Sequence, residues 1–259
     1  MDNFFHLLSA FFILSGFACF LLILLDIFPN RRQPMRIMEV VWPLTGLWAS
    51  WVGLLVYREL GRSAKMNHRT MPHKAIEHQA TLSEQPDHKD MQMDHRAMDM
   101  SSASMPMSTG PRWQSIILST LHCGAGCTLA DLIGETFTAF VPIAIGSSLL
   151  AGQWVLDYIL ALVLGIYFQY AAIRPMEPQL SRLQTVGKAF KIDFFSLTAW
   201  QAGMYGWMAI VMFVLFPRRP MMHNSWEFWF MMQIAMFFGF LASYPANRIL
   251  IRMGIKKGM

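Results

Sequence analysis

The sequence has little charge and few cysteines. Asp, Glu, Lys and Arg make up only 14% of its 259 residues, whereas 54% are hydrophobic. Three cysteines are too few for a disulfide framework. The sequence has no Walker motif, HExxH motif or nucleophile elbow, which argues against an ATP-driven pump or a hydrolase. It also lacks any pattern typical of RNA or DNA binding, so we predict a protein that is not an enzyme and has no nucleic-acid partner.

Long apolar runs dominate the sequence instead. A run of about 18 or more apolar residues predicts a membrane span. Six such runs begin near Phe4, Ile37, Trp113, Trp154, Ser196 and Ser225. The first run lacks the basic start and small-residue cleavage site of a signal peptide, which favours an uncleaved span. We predict an all-α polytopic protein with about six transmembrane helices, embedded as a multi-pass protein in the lipid bilayer of a bacterial inner membrane.

Composition divides the chain into three parts. Residues 1–57 are predicted to form two N-terminal transmembrane helices, and residues 113–259 a second membrane domain. The intervening residues 58–112 are polar and contain no apolar run. Because so few aliphatic side chains cannot offset the entropy cost of folding, we predict a disordered loop there.

Two stretches of the second domain do not fit a single simple span. The apolar stretch 113–153 is about twice as long as one span requires. It is either one long helix broken near Pro142, a span followed by an interfacial helix, or two passes. Residues 180–195 mix charged and apolar side chains, and we predict an amphipathic segment at the membrane surface.

A short motif in the second domain concentrates reactive side chains. His122 is followed by Cys123 and Cys127, and then by Asp131 and Glu135. Residues four apart share one face of a helix, so the cysteines and Asp131 form a stripe with Glu135 slightly further round. Thiols and carboxylates in a membrane are costly unless they meet a partner or an ion. We therefore predict that these five residues are metal ligands.

Two glycines in the motif support a second interpretation. Gly124 and Gly126 remove side-chain bulk, so either another helix or a ligand can approach the backbone. Free cysteine often behaves as a small hydrophobic residue. The alternative to a metal site is thus a glycine-mediated helix contact with two inert cysteines. Cys19 lies alone in the first apolar run and is interpreted as a packing residue.

Methionine and histidine are abundant in the polar segment. Five of the eight histidines lie there, together with many of the 22 methionines. Thioether and imidazole groups together are ligands for Cu(I). We predict copper as the bound metal, with zinc or another soft metal as alternatives; a linker that binds metal only weakly is the simpler interpretation. The densest run supplies the predicted ligands His88, Met91, Met93, His95, Met98 and Met100.

Methionines also recur at helical spacing in the second domain. Met204, Met208 and Met212 are four residues apart, and so are Met232 and Met236. Such stripes usually indicate helix packing. The alternative is that they line a metal path, an interpretation favoured by the thiol pair in the same domain.

The positive charges predict a topology. Six spans with both termini in the cytoplasm place most Lys and Arg residues inside, including those of residues 58–112. A motif stretch that crosses twice or re-enters the membrane places the polar loop outside, which suits Met-rich segments in an oxidising compartment. The charge distribution favours the first arrangement.

Several motifs of the second domain are specific in combination. They are HCGAGC with a following acidic D…GE, then FQY, KAFKIDFFSLTAWQAGMYGWM and GFLASYPANRILIRMGIKKGM. On these motifs, residues 113–259 resemble a bacterial membrane family of unknown function. The resemblance implies a helical integral membrane protein associated with copper and heavy-metal proteins, but no established activity. Its motif residues here are His122, Cys123, Cys127, Asp131 and Glu135.

Three functions are compatible with these patterns. The first is copper or soft-metal transport or homeostasis, in which the Cys pair holds Cu(I) and the His/Met-rich loop captures the ion. The second is a membrane thiol or metal-insertion factor that works with a copper chaperone or a copper enzyme. Its weakness is that Cys-x3-Cys is looser than the Cys-x2-Cys of redox helices. The third is a non-catalytic membrane scaffold. We favour the first because thiol, imidazole and thioether groups occur together.

Overall fold

The fold is built from six α-helices. The computed structural model describes residues 2–30, 33, 35–62, 112–217 and 225–256, and these ranges contain no β-strand. In chain order, the helices are α1 (Asp2–Asn30), α2 (Met38–Val56), α3 (Arg112–Phe140), α4 (Leu149–Met176), α5 (Arg182–Ile210) and α6 (Trp226–Arg252). A π-helical turn extends α2 over Tyr57–Gly61, and another extends α5 over Val211–Leu215.

All six helices have the length and hydropathy of membrane spans. This confirms the prediction of a polytopic, all-α membrane protein. The predicted loop starts later than residue 58, because Tyr57 and Gly61 pack against Trp42 and keep this stretch helical. The predicted disorder of residues 63–111, and the predicted ligands from His88 to Met100, lie outside the described residues.

Serine caps determine where three helices begin. Ser148 and Ser225 each accept a hydrogen bond from the backbone N–H three residues further on. Ser181 forms a capping box with Gln184, in which each side chain accepts a bond from the other residue's backbone N–H. These bonds satisfy amide groups that have no partner inside a helix.

The helix boundaries resolve both stretches of the second domain. Stretch 113–153 contains one span, which ends at Phe140 just before Pro142, a connection, and the first turn of α4. Residues 180–195 do not form a separate segment. After the Ser181 cap, α5 continues as one helix to Ile210, and Asp193 is fully buried against α3. The first turns of α5 are amphipathic, because Thr185 and Ala189 are buried while most of their neighbours are exposed.

The second helix reverses direction at Ser50. This residue has φ 48° and ψ −125°, which is far from helical geometry. The rings of Trp42 and Tyr57 lie 5.5 Å apart across the reversal. In a straight helix the same two residues would be about 22 Å apart along the axis. We refer to Met38–Gly61 as the hairpin.

Close packing and polar contacts hold the hairpin together. A Cβ atom on Gly53 would lie 2.8 Å from the carbonyl oxygen of Thr45, so only glycine fits between the two arms. At the open end, Asp26 of α1 accepts hydrogen bonds from Tyr57 at 2.8 Å and from Arg62 at 2.9 and 3.1 Å. The bond to Asp26 raises the pKa of Arg62. Both arms of the hairpin therefore end near the C-terminal end of α1.

Because of the hairpin, α1 begins and α6 ends at opposite ends of the bundle. His6 of α1 hydrogen-bonds to Glu227 at the start of α6, at 2.7 Å. Phe5 stacks on Phe216, which follows α5, at 5.9 Å between ring centroids. The prediction that both termini lie on one side is wrong, since it counted α2 as a crossing and α2 returns to the end from which it started.

The lysines and arginines of the described residues lie toward one end of the bundle. We define the charged end as the end of the bundle where α1, α6 and both hairpin arms terminate. Helices α3 and α5 begin at this same end. All lysines and arginines among the described residues lie toward it: Arg36, Arg58, Arg62, Arg112, Arg174, Arg182, Lys188, Lys191, Arg248, Arg252 and Lys256.

The motif glycines are packing positions. Trp200 of α5 is fully buried, and a Cβ atom on Gly124 would overlap its ring. Gly126 faces Gly165 of α4, whose Cα would lie 3.2 Å from an added Cβ. The space beside these glycines is therefore filled by Trp200 and α4, which matches the helix-contact interpretation of the glycines.

Candidate functional site

Cys123 lies in a buried polar network. Its Sγ donates a hydrogen bond to Asp193 Oδ1 at 2.9 Å, and accepts bonds from Ser196 Oγ at 3.2 Å and Lys256 Nζ at 3.1 Å. The Lys256 ammonium is also 3.6 Å from Asp193 Oδ1, and both side chains are completely buried. A buried ion pair is stable only with close geometry and further hydrogen bonds, and the thiol and hydroxyl groups supply them.

Helix α6 completes the network with two polar side chains. Asn247 Oδ1 accepts a hydrogen bond from Lys256 Nζ at 2.8 Å, while its Nδ2 donates to the Ser243 carbonyl and hydroxyl oxygens. The Ser243 hydroxyl in turn donates to the Ser196 carbonyl at 3.1 Å. We refer to these side chains as the Cys123 network: Cys123, Asp193, Ser196, Ser243, Asn247 and Lys256.

A turn after α6 brings Lys256 into the bundle. Gly254 has φ 69°, a conformation that glycine adopts at the end of a helix. The backbone N–H groups of Ile255 and Lys256 both donate to the Leu250 carbonyl, at 3.1 and 3.2 Å. Burial lowers the pKa of Lys256, but attraction and hydrogen bonds from Cys123 and Asp193 outweigh it, so the pKa is raised. The turn thus places the ammonium group beside Cys123 and Asp193.

His122 faces away from this network. Its ring meets Phe168 of α4 edge-on, with 6.1 Å between centroids, and is fully buried. Consecutive helix residues are about 100° apart around the axis, so His122 turns toward α4 while Cys123 turns toward α5 and α6. Cys127 is fully buried one helical turn beyond Cys123, and both are free thiols.

Asp131 borders a large cavity near the other end of the bundle. The cavity has a volume of about 310 Å³, and its wall includes Met232, Met236 and Gln233 of α6 and Trp48 of the hairpin. Asp131 is only 1% exposed, and neither carboxylate oxygen has a hydrogen-bond partner among the described residues. A carboxylate in this state is costly to bury without a proton or a cation beside it.

Glu135 borders a second, much smaller pocket. Its volume of about 10 Å³ approaches that needed for one water molecule. Asp157 of α4 also lines the pocket, and its carboxylate occupies the space that a Cβ on Gly134 would need. Four methionines contribute to the same wall: Met204, Met208, Met212 and Met232.

The structure distributes the motif residues over separate places. Cys123 belongs to the buried network, Asp131 to the large cavity, and Glu135 to the small pocket. Among the described ranges, no group of three or more His, Cys, Asp or Glu side chains is arranged to hold a metal ion. Any metal site built from these ranges must therefore use methionine or amide groups as well.

Residues 112–256 match a family described as a domain of unknown function, DUF4396. The chain belongs to the DUF4396 family. No curated protein and no solved structure matches the chain.

The DUF4396 match includes two of the three parts of the candidate site. It begins at the first residue of α3 and ends at Lys256, so it contains the whole Cys123 network and the small pocket. The hairpin and α1, which contribute Trp48 and other side chains to the large cavity, lie outside the match. The cavity thus joins the DUF4396 domain to the N-terminal part of the chain.

Sequence reasoning missed several residues of the DUF4396 site. The predicted surface segment included Asp193, and the sequence patterns singled out neither Lys256 nor Asp157. Lysine and aspartate in these positions are usually interfacial, so composition alone gave little reason to expect burial. The available signal was Asp193 eleven residues inside a helix whose later part carries no charged residue.

Proposed function

We propose that this chain transports copper(I) or a similar soft cation across a bacterial inner membrane, or regulates its level there. The observation that carries the proposal is Met232, which lines both cavities. Through it, the carboxylate and thioether groups of the large cavity adjoin those of the small pocket. Thioethers are soft ligands suited to Cu(I).

The unpartnered Asp131 supports the same function. A buried carboxylate next to a cavity attracts a cation, and the neighbouring Met232 and Met236 provide the preference for a soft one. Cys127 lies one turn earlier on α3 and Cys123 one turn before that, so ligand groups succeed one another along the helix. This arrangement offers successive weak sites of the kind that conduction requires.

Charge supports an orientation with the charged end in the cytoplasm. Cytoplasmic loops of membrane proteins carry an excess of Lys and Arg, and the described Lys and Arg residues lie toward that end. Arg62 and Arg112, the described residues on either side of residues 63–111, both lie at that end. This orientation places both of these flanking residues on the cytoplasmic side, where thiols persist.

A methionine pair tests the function. Met232→Leu should weaken Cu(I) binding to the purified full chain at least about tenfold and slow its uptake into proteoliposomes, because the thioether shared by both cavities is lost. Met231→Leu is the matched control, since Met231 is the preceding residue, is also 6% exposed and lines neither cavity. The Met-to-Leu change conserves volume, so folding should survive in both.

The same experiment separates the other functions. Equal Cu(I) binding by both variants and wild type would show that the methionines only pack the bundle, as in a scaffold. Cu(I) binding that depends on Met232, without uptake into vesicles, would instead support the metal-insertion function with a copper chaperone or copper enzyme as partner.

A further inference from the structure

The acceptors around Lys256 resemble the ligands of a metal ion. The ammonium group is surrounded by one sulfur and two oxygens: Cys123 Sγ at 3.1 Å, Asn247 Oδ1 at 2.8 Å and Asp193 Oδ1 at 3.6 Å. These atoms come from three different helices and are fully buried. Lysine ammonium is a compact point charge, so its nitrogen marks the position at which the surrounding acceptors stabilise one positive charge.

The charge of the network favours a monovalent ion at this position. Lys256 and Asp193 carry opposite single charges, and Cys123 is a thiol that donates to Asp193. Exchange of the ammonium for a monovalent cation leaves the net charge of the buried network unchanged. A divalent ion would leave this buried network neutral only if the thiol proton left it as well, whereas a monovalent ion allows the proton to stay on Asp193.

The segment that carries Lys256 can withdraw without unfolding a helix. It lies beyond the end of α6, and two backbone hydrogen bonds to the Leu250 carbonyl fix its turn. Gly254 provides the φ > 0 conformation that reverses the chain there. Movement at this glycine would remove the ammonium while Cys123, Asp193 and Asn247 stay in place on their helices.

We propose that Lys256 is a tethered cation that occupies a metal site formed by Cys123 and Asn247, with Asp193 as the proton acceptor beside it, and that a soft monovalent metal ion displaces the ammonium. This inference rests on the proposed soft-cation function and adds a site at the charged end, before the methionine-lined cavities. When the ion binds, the bond between the metal and Sγ replaces the S–H bond, and the proton passes to Asp193 Oδ1, which already accepts it and becomes a neutral carboxyl group. The ammonium of Lys256 moves out to water.

Silver(I) is the probe for this site, because it is a soft monovalent ion without redox chemistry in a thiol site. Lys256→Met removes the competing ammonium and nearly preserves side-chain length. We expect its Kd for Ag(I) to be at least about tenfold lower than that of the wild-type full chain, since a site blocked about nine tenths of the time loses that much affinity. Adding Cys123→Ser should abolish the gain. Lys188→Met, at a half-exposed pair with Glu177, should leave the Kd unchanged.

A double variant guards against misfolding. Lys256→Met leaves Asp193 buried without its cation, so Lys256→Met/Asp193→Asn is made in parallel to remove both charges. If only the double variant folds, it should still bind Ag(I) more tightly than Asp193→Asn alone. Hydrogen exchange of residues 250–256 gives a second measurement. Ag(I) should accelerate it in the wild type and not in Cys123→Ser.

Two results would overturn the tethered-cation proposal: equal Ag(I) affinity with and without Lys256, or unchanged exchange of residues 250–256 on Ag(I) binding. Either result would leave Lys256 as a structural tie for the segment after α6. Failure here is distinguishable from failure of the proposed function. The Met232→Leu and Met231→Leu pair reports on the cavities, whereas Lys256→Met and Cys123→Ser report on this site.

Discussion

At the scale of single residues, two buried aspartates differ in whether their carboxylates have partners. Asp193 receives a hydrogen bond from Cys123 and lies 3.6 Å from the Lys256 ammonium. Asp131 is almost as deeply buried but has no hydrogen-bond partner among the described residues. The first carboxylate is stabilised by its surroundings, whereas the second is costly to the fold. Residues that lower the stability of the fold are frequently functional.

This contrast gives a prediction for the two aspartates. Asp131→Asn should leave the melting temperature unchanged or raise it, because it removes an unpaired buried acid, but should weaken Cu(I) binding. Asp193→Asn should destabilise the protein by about 3–5 kcal/mol, because it leaves the Lys256 ammonium without its counter-ion. Thermal unfolding in detergent and Cu(I) titration measure both effects. A large stability loss in Asp131→Asn would contradict a functional role for Asp131.

Glycines provide a second prediction at the residue scale. Gly124→Ala should destabilise the protein by about 1–3 kcal/mol, because its Cβ would overlap the Trp200 ring. Gly187→Ala is the matched control, since nothing lies within 4 Å of its added Cβ and Gly187 is an exposed helical residue. It should stabilise α5 by about 0.5–1 kcal/mol. Melting temperatures of the two variants test the packing account of the motif, and equal values would refute it.

At the scale of elements, the hairpin is the feature that sets the topology. Its reversal depends on Ser50, whose φ of 48° is strained for any residue with a Cβ. Close contact between the arms then depends on Gly53. Asp26 anchors the open end through Tyr57 and Arg62. The hairpin thus places Trp48 against the wall of the large cavity without crossing the bundle.

We predict that Ser50→Gly stabilises the hairpin. Glycine relieves backbone strain of about 1–3 kcal/mol. The lost hydrogen bond from the Ser50 hydroxyl to the Phe12 carbonyl is long, at 3.4 Å, and contributes less than that. Ser50→Val should lower the melting temperature, because a β-branched residue is the least tolerant of positive φ. The reverse order of the two variants would show that Ser50 is not strained.

At the scale of the whole molecule, charge and topology agree only when the hairpin is recognised. If α2 crossed the membrane, Arg36 and Arg58 would lie on opposite sides. With the hairpin, both lie at the charged end, and the connection between α3 and α4 lies at the other end. Among the described residues, all lysines and arginines then lie toward one end, which is the kind of asymmetry that the positive-inside rule relates to orientation.

Cysteine labelling tests this orientation. Arg36→Cys and Arg58→Cys should be protected from a membrane-impermeant maleimide added outside intact cells, and Ser147→Cys should react. All three positions are exposed, whereas the native Cys19, Cys123 and Cys127 are fully buried and provide an unreactive background. Opposite labelling of positions 36 and 58 would show that α2 crosses the membrane. Labelling of positions 36 and 58, with protection of Ser147→Cys, would show that the orientation is opposite to the proposed one.

The sequence by itself determined that the protein is a helical, multi-pass membrane protein. Length and hydropathy suffice for that, because any long apolar segment must satisfy its backbone hydrogen bonds within a helix in a bilayer. The helical spacing of Cys123, Cys127 and Asp131 likewise followed from the periodicity of the helix. Sequence also identified the methionine stripes, although it could not separate packing from ligand binding.

Tertiary structure alone decided which of these residues meet. Asp193 and Lys256 are 70 and 133 residues from Cys123, and their contact depends on how α3, α5 and α6 pack. The reversal at Ser50 was hidden for a similar reason. A single residue with positive φ leaves no periodic signal, yet it changes which side of the bundle every later helix starts from. Local patterns fix the type of each helix, whereas long-range contacts fix the direction and the partners of each side chain.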